Sequence, residues 1–120
     1  MSHPTESITR LHVGARLSEA AICNGFCFLA GQVAEDLTLD MVGQTRQVLA
    51  AIDRLLAQAG TDRTRIVSCT IYIRDMAEFA AMNSVWDAWV PTGQTPPRAT
   101  VQAALAKPEY RVEMQVVAAV

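Results

Sequence analysis

The chain reads as an α+β domain, a mixed β-sheet with two helices packed on one face, and three observations carry that reading. Short apolar or alternating runs bounded by turn residues recur near both ends of the sequence. Two longer segments, beginning at Asp40 and Asp75, repeat apolar residues at helical spacing. The resulting order is β-β-β-α-β-α-β-β. Each strand–helix–strand crossover is expected to be right-handed, which lays both helices on the same side of the sheet.

Ser7 to Val13, Leu17 to Cys23 and Phe26 to Gln32 form the first three strands, the last two joined at Asn24-Gly25, a strong type I′ hairpin signal. From Asp40 to Ala59, Met41, Val48, Leu49, Ile52, Leu55, Leu56 and Ala59 make one apolar stripe; Asp40 is the N-cap and Gly60 the stop. Arg65 to Ile73 is a central buried strand. Asp75 caps a second helix, Asp75 to Trp89, whose inward stripe is Met76, Phe79, Met82, Val85, Trp86 and Trp89 before Pro91 and Gly93 end it. No repeat, low-complexity tract or linker interrupts the chain, which is one domain, 1–120.

The last two strands hold the most informative residue. Arg98 is a lone cation in the otherwise almost uncharged run from Thr95 to Ala106, entered through Pro96 and Pro97, which cannot lie inside a central strand. A guanidinium drawn toward the interior needs an anion, best a carboxylate or phosphate that accepts two parallel hydrogen bonds. The following strand carries one acid, Glu113. If Arg98 to Ala104 and Arg111 to Val117 form a hairpin with Ala104 opposite Arg111, Gln102 faces Glu113 and Thr100 faces Gln115. Arg98, Thr100, Gln102, Glu113 and Gln115 then share one polar face. Arg98 and Glu113 would lie roughly 13 Å apart along it at ~3.3 Å per residue, room for a small anion or for a neighbouring subunit. From this geometry alone, an Arg98 that pairs with another acid or a carbonyl is an equal alternative.

Composition bounds the function classes. With 51% hydrophobic and 18% charged residues in 120, the chain is more apolar than its size requires, and part of the surplus is expected at a subunit interface. With two helices on one sheet face, no element is left to cover the other. Packing against copies of the chain is the economical cover, and closed cyclic symmetry brings Arg98 to subunit boundaries. The formal charge of -2, without basic clusters interleaved with aromatics, argues against nucleic acid as the main partner. The start MSHPTESITRL has no basic stretch followed by an apolar one, and no apolar run approaches the ~20 residues of a membrane span, so a soluble, cytoplasmic protein with no membrane association is expected.

Cys23, Cys27 and Cys69 are odd in number, form no CxxC pair and read as buried free thiols. His3 and His12, both near the N-terminus, hardly supply a metal site or a nucleophilic triad, and each reads as a surface or tail residue. No metal is expected.

The segments SEAAICNGFCFLAGQVAED, GQTRQVLAAIDRLLAQAGTDRTRIVSCTIYIRDMAEFAAMNSVWDAW and PPRATVQAALAKPEYRVEMQVVAA resemble the RidA (YjgF) family of reactive enamine/imine deaminases, also labelled endoribonuclease L-PSP. The match runs in order through nearly the whole chain. It implies a chorismate-mutase-like homotrimer with sites in the clefts between subunits. It also implies hydrolysis, without a cofactor, of 2-aminoacrylate and similar imines to 2-oxo acids and ammonia. By the same resemblance Arg98, in PPRAT, clamps the substrate carboxylate, and Glu113 positions or activates the hydrolytic water. Gly31, in AGQ, is the pocket glycine, Asn83 the family's asparagine near the site, and Thr100 a further substrate-binding position. The chemistry is consistent: a two-point cation fixes a 2-imino carboxylate while a carboxylate moves a proton.

The chain departs from the family pattern at Ala30, where a serine is usual, at Thr100, where a cysteine is usual, and at Leu17, where an aromatic is common. These changes reshape the pocket wall and bear on substrate preference. Gly31 and Asn83 also have bland readings, a tight backbone contact and a helix-surface amide. Two function classes stand beside one another: an imine deaminase, and a non-catalytic trimer that senses small carboxylates or holds unfolded clients. A ribonuclease is third, opposed by the acidic charge and the scarcity of histidine.

Overall fold

The computed structural model of the chain describes residues 7–120. His3 lies outside them. Six strands, β1 (Thr9–Val13), β2 (Ser18–Cys23), β3 (Phe26–Leu29), β4 (Ile66–Ile73), β5 (Arg98–Gln102) and β6 (Val112–Ala119), and two helices, α1 (Met41–Gln58) and α2 (Phe79–Trp89), follow in the expected order. The β2–β3 turn has Asn24 at φ 54° and Gly25 at φ 81°, the left-handed pair that a type I′ turn requires. Asp40 caps α1 by accepting from the Gly43 amide at 2.9 Å. At its other end Gly60, at φ 85°, turns the chain so that the Thr61 amide reaches the Leu56 carbonyl at 2.9 Å. Asp75 caps a single 3-10 turn, Met76–Glu78, and α2 begins only at Phe79.

The sheet order is β1-β2-β3-β6-β4-β5. It corrects the expected terminal hairpin. β4 lies between β5 and β6, parallel to the first and antiparallel to the second. Across it Arg98, Cys69 and Val116 share a row, as do Thr100, Ile71 and Met114. The hairpin placed Thr100 opposite Gln115, and that one-residue offset reverses a face. Glu113 stands in the row of Tyr72 and Val101, opposite in side to Arg98 and Thr100.

Both helices pack on one face. Val48, Ile52 and Leu56 of α1 and Met82, Val85 and Trp86 of α2 close over Ile71, Ile73, Val112, Met114 and Val116. The buried Gln44 has its amide satisfied: it donates to the Leu39 and Glu109 carbonyls at 3.1 and 3.0 Å and accepts from the Arg111 amide at 2.9 Å, holding the 103–111 loop against α1. Alternation puts Phe26, Phe28, Val101 and Val117 on the other face, where Phe28 is 49% and Val101 42% exposed.

Candidate functional site

Arg98 opens β5, an edge strand, registered by the Cys69 amide, which donates to the Pro97 carbonyl at 3.1 Å. Its row belongs to the helix side of the sheet, so the half-buried side chain runs toward α2. There Nη1 donates to Asn83 Oδ1 at 2.8 Å, and the guanidinium carbon lies 5.2 Å from the Trp86 ring centre and 5.9 Å from that of Phe79. Among the described residues the ion pairs are Arg63–Asp53 at 2.6 Å and Arg111–Glu78 at 2.8 Å, and Arg98 is in neither. Its charge is oriented by a neutral amide and two aromatic faces rather than cancelled by a carboxylate. Thr100, on the same side, has a buried hydroxyl oxygen without a hydrogen-bond partner among the described residues. Gln102 completes the row by accepting from the Met76 amide at 2.7 Å.

Glu113 stands on the opposite face, on β6. Gln32 and Met114 exchange both backbone hydrogen bonds, at 2.8 and 3.1 Å, and this bridge lays Gly31 beside Glu113. Position 31 admits no side chain without moving Glu113: a β-carbon there would collide with the carboxylate. Gln32 is itself buried and tied at 3.0 Å to Glu19 Oε2 and the Ala30 carbonyl. Arg111, the strand neighbour that could have paired with Glu113, turns instead to Glu78.

The chain therefore brings the predicted residues together as two separate groups, Arg98 with Asn83 and Thr100, and Glu113 with Gly31. The expected single polar face is not formed. β5 and β6 are separated by β4, roughly 10 Å of sheet, and the rows of Arg98 and Glu113 differ by three residues, roughly another 10 Å along the strands. They also lie on opposite sides. Trp86 and Phe79, read from the sequence as core stripe only, join Asn83 around Arg98. The signal was present in the spacing 79, 83 and 86, which places all three on one helix face.

A cavity of about 500 Å³ between α1 and the β1–β2 edge is bordered by His12, Glu19, Gly31, Gln32, Glu35 and Arg54, among others, and meets the predicted residues only at Gly31. His12, at φ 53°, forms a 2.6 Å hydrogen bond with Gln58 across its rim. Among the described residues no group of three or more His, Cys, Asp or Glu side chains is placed to hold a metal. The three cysteines are free, Cys27 and Cys69 buried and Cys23 half-buried. Burial pushes the Cys69 thiol up to about 12, with Arg98 nearby acting in the opposite direction. No helix among the described residues is long and apolar enough to cross a membrane.

Comparison with known proteins covers nearly the whole chain. Residues 7–120 match the family model described as Endoribonuclease L-PSP. A RutC family protein of Haemophilus ducreyi is 46% identical over 94% of this chain and 97% of its own length. The RutC family protein YoaB of Escherichia coli is 44% identical over 95% and 99%. Among solved structures, a YjgF family member from Neisseria meningitidis superposes with a TM-score of 0.92 at 47% identity, covering 94% of each chain. A Rid family protein of Yersinia pestis superposes at 0.88 with 29% identity, covering 95% of this chain and all of that one. Fold, family model and close relatives converge, and the chain belongs to the endoribonuclease L-PSP family, whose members also carry the RutC, YjgF and Rid names.

Proposed function

We propose that this protein hydrolyses small reactive 2-imino carboxylates, formed from enamines such as 2-aminoacrylate, to 2-oxo acids and ammonia, and that it does so as a homotrimer. The observation that carries the reading is the uncompensated Arg98. A guanidinium fixed in place yet left unneutralised is built to receive an anion, and a carboxylate matches its planar donors at two points.

The chemistry that follows is a hydration and an elimination. Glu113 takes a proton from water as the oxygen forms a bond to the imine carbon and the C=N electron pair moves to nitrogen. Glu113 returns that proton to nitrogen, giving a carbinolamine, and then passes the hydroxyl proton of this intermediate to the amine; the C–N bond breaks as the oxygen lone pair forms the carbonyl, and ammonia departs. Gly31 supplies the room in which the Glu113 carboxylate lies.

Since Arg98 and Glu113 occupy opposite faces of one sheet, the reading pairs Arg98 of one subunit with Glu113 of the next. The exposed Phe26, Phe28 and Val101 supply apolar surface for that assembly, whose burial stabilises it at ~25 cal/mol per Å². Light scattering that finds a monomer at micromolar concentration would exclude this arrangement. The function is tested by ammonia release from freshly generated 2-aminoacrylate, expected to exceed buffer and to collapse in Arg98→Ala. Pyruvate binding without any acceleration would instead make the protein a carboxylate sensor.

A further inference from the structure

The surroundings of Arg98 specify more than its availability. A guanidinium has five N–H donors in one plane: two on Nη1, two on Nη2 and one on Nε. Asn83 accepts from Nη1 at 2.8 Å, and this is the hydrogen bond that the Arg98 side chain makes among the described residues. Trp86 and Phe79, with ring centres 5.2 and 5.9 Å from the guanidinium carbon, attract the cation through their electron-rich faces and keep water from part of it. Asn83 and Trp86 come from successive turns of α2, and α2 is pinned to the core by Met82 and Trp86. The cation is thus anchored by a rigid helix.

An aspartate at position 83 would make the same contact and cancel the charge. The neutral amide orients the group and leaves its charge for a ligand. With one Nη1 donor engaged by Asn83, the edge whose donors are all free is that of Nε and Nη2, which can donate two parallel hydrogen bonds to a carboxylate. We propose that Asn83, Trp86 and Phe79 are positioning residues that preserve the charge of Arg98 and present its Nε/Nη2 edge to the carboxylate of the ligand. This rests on the reading of Arg98 as an anion clamp, and it moves Asn83 from ligand contact to support.

The test uses the intact assembled protein with pyruvate as probe. Asn83→Asp should fold with unchanged or higher thermal stability, since it gains an ion pair, and yet bind pyruvate about tenfold or more weakly. Asn83→Ser, which keeps a neutral acceptor, should bind more tightly than Asn83→Asp. In NMR spectra of the unliganded protein, the Arg98 Nε–H resonance should carry a ring-current shift that Trp86→Leu removes. On saturation with pyruvate the same resonance should move downfield.

Wild-type affinity in Asn83→Asp overturns the charge-preserving role, and an Nε–H resonance indifferent to saturating pyruvate overturns the assigned edge. If wild-type protein binds no pyruvate, the proposed function falls. The unliganded spectra still decide whether α2 holds the guanidinium, because a resonance without a Trp86-dependent shift refutes the cradle.

Discussion

Gly31 lies so close to Glu113 that a β-carbon at position 31 would stand 2.9 Å from the Glu113 carboxyl carbon and 3.2 Å from its γ-carbon. The glycine is required by contact. Its neighbour Gln32 is fixed to Met114 by two backbone hydrogen bonds, so the backbone at 31 has little freedom to withdraw and the carboxylate must yield. Gly31→Ala should therefore displace Glu113 while leaving the fold intact. Displacement of a catalytic group by about 1 Å can cost on the order of 100-fold in rate, and a loss of at least about tenfold in 2-aminoacrylate hydrolysis is expected, with pyruvate affinity nearly unchanged. Full activity in this variant would detach the Gly31–Glu113 contact from the reaction.

Arg98→Lys keeps the charge and loses the planar fork. An ammonium at the end of a flexible stem cannot make the two parallel bonds and forfeits the stacking on Trp86, so pyruvate should bind roughly tenfold or more weakly by calorimetry. Equal affinity in the two proteins would make Arg98 a structural residue.

Glu113→Gln retains shape and hydrogen bonding but cannot carry the proton, and turnover should drop by ~100-fold or more while pyruvate still binds. Co-assembly with Arg98→Ala then tests how the site is shared. If Arg98 and Glu113 of different subunits meet, trimers mixed from the two inactive variants contain some complete sites, and activity should reappear. Mixed trimers as inactive as their parents would mean that both residues of a site come from one chain.

The thiols report burial. At pH 8 a disulfide reagent should modify Cys23 in the native protein, and Cys27 and Cys69 only after denaturation. The Cys69 thiol, raised by burial from its ordinary value of 9.0 to about 12, favours the folded state in its protonated form. That contribution is complete below pH 9.0 and is lost as the pH climbs through about 12. Urea unfolding at stepped alkaline pH should show a shallower decline for Cys69→Ala than for wild type; identical slopes would assign the alkaline loss to other groups.

The local elements were legible because their signals are local. Asn24-Gly25 has only one favourable conformation between strands, and Asp40 and Gly60 bracket an apolar stripe that fits no other period. The pairing of β5 was not. Neighbours in sequence usually pair, and nothing in the run from Arg98 to Ala119 announces that β4 stands between them. Besides the intervening strand, the hairpin and the sheet differ by one residue of register. In a period of two that is enough to carry Glu113 through the sheet, and so residues expected on one face lie as two groups on opposite faces. The family resemblance named the right segments without showing this, since a motif gives the residues and not the side on which each emerges. The role of Phe79 and Trp86 is not legible for a related reason: an aromatic that touches both core and guanidinium has the same helical spacing as one that touches core alone.

Because β6 pairs with β3 on one edge and β4 on the other, it is, among the described residues, the strand that joins β1-β2-β3 to β4-β5. Until it is laid down there are two small sheets, each with a bare edge, and α1 has half a surface to rest on. The two pieces share one core only once the segment after Tyr110 is in place, because Val112, Met114, Val116 and Ala118 complete it. Contacts that span so much of the chain slow folding, and the interval before closure is when an unpaired β3 or β4 edge is open to the wrong partner. Completion of the sheet is thus gated by one late strand.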